Sequence, residues 1–259
     1  MMYKIIFILV IMALLINCSE KDPIDPDPPN RVIMVIKEPG FDTLQVERGI
    51  DAEPNPNSSV SAIELNWYEP TDKYKVSYFN IYRSEDEAGK LSYKWIGNTE
   101  NQINIPDTVF IDTTLSDTNG DFPYWYYVTA VDEDGTESEP SDTVKYTLIE
   151  KATELSIIPP DVLRDSTITF KWMLSNEDIV NNYYLRVEQL APQPVFQPFV
   201  YFKVLNSNYQ VTETFQVSIE NFRFPIINGG IYRWRIDCVG TDIYSGSESD
   251  WAEFTVNLE

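Results

Sequence analysis

Carboxylates are the most abundant reactive groups in this chain: 41 Asp and Glu stand against 19 Lys and Arg, a formal charge of −22. Histidine is missing altogether, which removes the usual general base, the usual zinc nitrogen ligand and every Ser–His or Cys–His dyad. With so many acids, pairs at glycosidase separations must arise by chance, so they assign no hydrolysis by themselves. Asp132-Glu133-Asp134-Gly135 and Asp117-Thr118-Asn119-Gly120-Asp121 have the flavour of calcium loops, but neither runs on to the carboxylate spacing of an EF-hand. Both are expected to be hairpin turns. The cysteines are Cys18 and Cys238; no disulfide is expected, and Cys238 reads as a buried, inert thiol. No P-loop, Rossmann glycine pattern or zinc spacing occurs. No catalytic residue, metal or cofactor is expected, and the chain reads as a non-enzyme.

The elements that organise the chain are strands. Tyr124-Trp125-Tyr126-Tyr127-Val128-Thr129-Ala130-Val131 is dense in aromatic and β-branched residues, the composition of a half-buried strand. Asp134-Gly135 turns it, and Thr143 to Leu148 leads away. This stretch, ending Glu137-Ser138-Glu139-Pro140-Ser141, resembles the last two strands (F and G) of a fibronectin type III module. The resemblance makes Tyr124 the tyrosine corner of a Greek-key sandwich. Ile63, Leu65 and Trp67 alternate on one face, and the resemblance makes Trp67 the core indole of strand B. Phe79 to Ser84 matches strand C; Tyr93 to Gly97 would be C′ and Val109 to Asp112 would be E.

The same grammar returns. Thr167-Ile168-Thr169-Phe170-Lys171-Trp172 matches strand B, with Trp172 lying 105 residues after Trp67, and Tyr232 begins a strand F 108 residues after Tyr124. A period near a hundred residues points to tandem sandwiches rather than a solenoid. Tyr183 to Glu188 reads as strand C and Trp251 to Val256 as strand G. The fold expected is all-β: two tandem antiparallel Greek-key sandwiches, fibronectin type III or immunoglobulin-like, at 32–149 and 154–259. The link from Leu148 to Glu154 has no Gly or Pro, so the modules are expected to keep a limited range of angles.

Alternation also says which side chains leave the first core. Tyr78 and Tyr82 on C, Tyr93 and Trp95 on C′, and Trp125 and Tyr127 on F are expected to share one solvent face. Such rings stack on sugars or anchor protein partners. In the second module the corresponding residues Arg186, Glu188, Arg233, Arg235 and Asp237 are charged, so no second aromatic surface is expected.

Ahead of the modules, Lys4 and the apolar run Ile5 to Ile16 form a signal-peptide pattern over 1–17. Leu15-Ile16-Asn17-Cys18 resembles a bacterial lipobox, which implies lipidation at Cys18; Asn17 stands where the pattern has Gly, Ala or Ser. Residues 18–31 are rich in Asp and Pro and read as a disordered tether. So acidic a chain is repelled by nucleic acid and by anionic lipid surfaces. The expectation is a lipid-anchored protein of the bacterial cell envelope, at the outer membrane or cell surface. Its modules bind a protein or matrix partner or act as a spacer. The alternative is a glycan-binding accessory protein using the aromatic face, with a polysaccharide as partner.

Overall fold

Strand-forming alternation accounts for the architecture of the computed structural model. It describes residues 27–38, 62–85, 91–102, 107–116, 122–158, 167–174, 180–205 and 212–256, with backbone alone for 196–205. The leader, Cys18, most of the tether and Asp117–Asp121 lie outside the described residues. The chain is all-β there, as expected, with two 3-10 turns, at Lys73–Lys75 and Ile219–Asn221.

The first sandwich contains β1 (Ile33–Met34), β2 (Ile63–Tyr68), β3 (Tyr78–Glu85), β4 (Lys94–Asn98), β5 (Val109–Asp112), β6 (Tyr124–Val131) and β7 (Val144–Leu148). One sheet runs β1-β2-β5; the facing one runs β4-β3-β6-β7. This is the A-B-E and C′-C-F-G order of the fibronectin type III sandwich. Ile63, Leu65 and Trp67 meet Phe79, Ile81, Tyr124, Tyr126 and Val128 in one buried cluster, with the Trp67 and Phe79 rings 5.1 Å apart.

In the second half come β8 (Thr153–Ile158), β9 (Thr167–Met173), β10 (Val180–Ala191), β11 (Val195–Leu205), β12 (Thr212–Ser218), β13 (Ile231–Gly240), β14 (Ser245–Glu248) and β15 (Ala252–Thr255). Here β8-β9-β12 faces β11-β10-β13, the latter flanked by β14 and β15. Trp172 packs on Tyr183 and Phe170 on Trp234, in a core that includes Cys238. The expected single strand Trp251–Val256 is replaced by two short strands that both pair with β13. They are separated by Ser249-Asp250-Trp251, where a side chain enters the ladder.

That serine is a repeated device. In the first sandwich Val128 N–H donates to Ser141 Oγ at 2.9 Å, and Ser141 N–H returns a bond to Val128 O. In the second, Ile236 N–H donates to Ser249 Oγ at 3.0 Å and Ser249 N–H to Ile236 O. The two pairs stand 108 residues apart, the offset of Tyr124 and Tyr232. A hydroxyl thus replaces a missing backbone carbonyl and keeps a buried N–H satisfied.

Between the halves, β7 pairs in parallel with β14, Thr147 opposite Ser245 and Leu148 opposite Gly246. Thr147 N–H donates to Tyr244 O at 2.9 Å, Ile149 N–H to Gly246 O at 3.3 Å, and Ser247 Oγ to Glu150 O at 3.0 Å. A Lys145–Asp242 ion pair flanks them. Two sheets therefore become one sheet of nine strands.

The charged residues of the second sandwich's outer face are not solvated as alternation suggested. Arg235 is 1 % exposed and Glu188 and Glu248 are 2 % exposed. Arg233 and Arg186 both meet Glu188, and Arg235 meets Asp237 and Glu248, each at 2.7–2.8 Å. The Trp251 ring lies over the guanidinium groups of Arg233 and Arg235 at 4.0 and 4.9 Å. Burial of such charges is tolerated only because each is paired.

Replacing Ser141 or Ser249 by Ala leaves Val128 or Ile236 N–H buried without an acceptor. Each is expected to lower unfolding free energy by about 1–3 kcal/mol in urea titrations, with Thr restoring most of it. A loss below a few tenths of a kcal/mol at both sites contradicts the ladder role.

Candidate functional site

The outer face of β4-β3-β6 is where non-core side chains of the first sandwich converge. Register places Tyr82 on β3 opposite both Tyr127 on β6 and Trp95 on β4. The Tyr82 and Tyr127 rings stack at 4.7 Å with a 16° interplanar angle, and Tyr93 leans on Tyr127 at 4.8 Å. Trp95 is 56 % exposed, and its indole N–H donates to Asn80 Oδ1 at 3.1 Å. With the one polar atom of the indole used internally, what it offers outward is π surface.

Glu137 ties the face together. Its carboxylate accepts from Asn80 Nδ2 at 2.9 Å, Tyr82 OH at 3.0 Å and Thr129 Oγ1 at 2.7 Å. These three donors sit on β3 and β6, so one acid beyond the hairpin turn clamps two strands. Partial burial and then the hydrogen bond to Glu137 push the Tyr82 phenol up to about 12, and Tyr127 is raised by burial and by the same negative charge. Sequence reasoning missed Glu137 because it sits in turn-like sequence. The signal available was its distance from Gly135: the hairpin returns it beside β6, where it bridges to Val131.

The six ring residues named from alternation are therefore distributed. Tyr82, Tyr93, Tyr127 and Trp95 adjoin. Tyr78 faces Val131 near the far end of β3, ~13 Å along the strand from Tyr82. Trp125 lies opposite Ser84 and Lys145 and lines an open cleft of about 240 Å³ with Ile36, Val144, Tyr146 and Tyr244 at the junction of the two sandwiches.

The four fold-defining residues are interior: Trp67 is 3 % exposed, and Trp172, Tyr124 and Tyr232 are 0 %. The Tyr232 hydroxyl accepts from Ile227 N–H at 3.0 Å, the corner contact; Tyr124 meets Ser116 Oγ at 3.3 Å. Asp132 spends Oδ1 on the N–H groups of Asp134 and Thr136, with Gly135 at φ +84°, which is turn chemistry. Burial pushes the Cys238 thiol up to about 12. Among the described residues no group of three or more His, Cys, Asp or Glu is placed to hold a metal ion.

No family model and no curated protein matches the chain. Among solved structures, the FN1–FN3 domains of chicken CNTN1 are similar at 15% identity with a TM-score of 0.38, over 89% of this chain and 68% of that one. The sandwich assignment rests on strand order and register in this chain, not on that likeness.

Tyr82 and Tyr146 both have folded values near 12 against an ordinary value of 10.0. The folded state holds these protons more tightly, so their stabilisation is complete below pH 10 and is lost as pH rises toward 12. The urea midpoint is expected to fall across that window, less steeply in Tyr82→Phe than in the wild type. Identical slopes in the two proteins contradict the assignment of Tyr82.

Proposed function

We propose that this chain is a non-catalytic envelope protein, anchored by lipid at Cys18, whose paired sandwiches hold a protein- or matrix-binding face at a set attitude above a membrane. The observation that carries the reading is the β7–β14 pairing. A spacer must transmit orientation, and backbone hydrogen bonds across a module boundary resist bending far better than a bare linker. The Tyr82–Trp95 face sits on the β4-β3-β6 flank of that joined sheet. Among the described residues no helix is long and apolar enough to cross a membrane.

A glycan-binding accessory role is the competing reading, and Trp95 is the observation in its favour: an exposed indole with its N–H already bonded is a stacking surface for a sugar ring.

Two measurements test these readings. In a bacterial host fed a clickable fatty acid, the wild-type chain is expected to carry label that Cys18→Ala lacks; equal labelling of the two, or none in either, contradicts the anchor. Tryptophan fluorescence against a broad panel of neutral oligosaccharides is expected to show no saturable change. A saturable response abolished by Trp95→Ala would favour the glycan role instead.

A further inference from the structure

The polar atoms of the Tyr82 face are turned toward one another. Asn80 accepts from Trp95 through Oδ1 and donates to Glu137 through Nδ2. Tyr82 and Thr129 give their hydroxyl protons to the same carboxylate. A sugar stacked on Trp95 needs free donors and acceptors beside the ring to fix its hydroxyls, and here Asn80, Tyr82, Thr129 and Glu137 are already committed to one another.

What has no ion-pair partner is the charge of Glu137, which is itself exposed. All three partners of Glu137 are neutral, and among the described residues no Lys or Arg pairs with it. Its hydrogen bonds to the protein are all from neutral donors, so the carboxylate keeps its full negative charge at the rim of three packed tyrosines and an exposed indole. A phenol that donates to a carboxylate gains electron density in its ring, which strengthens attraction for a cation over the ring face. The whole chain, at −22, steers cations toward its surface over a Debye length.

We propose that the face formed by Tyr82, Tyr127, Tyr93 and Trp95 beside Glu137 takes a lysine or arginine side chain presented by a partner protein. The cation lies over the rings within reach of the Glu137 charge; the Trp95–Asn80 and Tyr82–Glu137 hydrogen bonds hold the platform ready before it arrives. The proposal rests on the reading of this face as a protein-binding surface and is independent of the lipid anchor, so a failed labelling experiment at Cys18 leaves it standing.

The test uses the full chain and two synthetic pentapeptides, one with two arginines and one with citrulline at both positions, which keeps the shape and removes the charge. By isothermal titration the arginine peptide is expected to bind at least about 5-fold more tightly than its citrulline counterpart. Trp95→Ala and Glu137→Gln are each expected to weaken arginine-peptide binding by about 3- to 10-fold. Glu253→Gln, the same charge change on an exposed residue of the second sandwich, is expected to leave it unchanged. Equal affinity for the two peptides overturns the proposal without requiring any variant to fold. So does an equal loss in Glu137→Gln and Glu253→Gln, which means diffuse attraction only. Saturable oligosaccharide binding that needs Trp95 but is indifferent to Glu137→Gln overturns it in favour of a sugar site.

Discussion

A sheet edge with unpaired N–H and C=O groups invites association with any extended chain, and this protein closes two such edges against each other. In each sandwich the last strand begins with a segment joined to its neighbour through a serine hydroxyl, at Ser141 and at Ser249. Beyond Ser141 the first sandwich leaves β7 on its margin, and just ahead of Ser249 the second turns β14 toward it. Their parallel pairing gives Thr147 and Ile149 acceptors they would otherwise seek in water. The attitude of every outward side chain on one module is thereby referred to the frame of the other. An ion pair and a tyrosine ring reinforce the seam: Lys145 meets Asp242 and lies 5.7 Å from the centre of Tyr244.

The two sandwiches share an interior and differ outside. Trp67 and Trp172, Tyr124 and Tyr232, Ala130 and Cys238 fill like places because the same alternation feeds the same packing. On the outer faces, the first module organises aromatic rings around one carboxylate. The second pairs three arginines with three acids, all buried except the half-buried Arg233, and capped in part by Trp251. Paired charges of that sort add little net stability against an apolar alternative, since desolvation offsets most of the attraction. Their geometric demands nevertheless fix which residues lie across from one another. The first face leaves the Trp95 indole open to solvent; the charges of the second are paired with one another.

Sequence was most informative where period and chemistry coincide. Tyr124 and Tyr232 were legible because each opens an alternating strand whose inward residues are apolar throughout, and the 108-residue offset repeats at the serines. Alternation also named the face of Arg235, but it says only which way a side chain leaves the sheet, not what lies over it; Trp251 had been assigned to a continuous last strand. The β7–β14 seam was illegible for another reason. Backbone pairing between segments nearly a hundred residues apart leaves no pattern in either, and Ser245-Gly246-Ser247 resembles turn sequence more than a strand. Glu137 escaped notice because its role depends on the hairpin bringing it back over β6. Of the six aromatic residues read as one surface, Trp125 was drawn to the seam, whose existence the reading did not include.

Amide hydrogen exchange at Thr147 and Ile149 tests the joined sheet most directly. If β7 and β14 are paired, these two amides exchange slowly and together, with protection approaching that of Val128 and Ile236 inside the sandwiches. Free-strand rates at both positions, while Val128 and Ile236 stay protected, would mean that the modules are separate beads on a linker and that no fixed attitude exists between them.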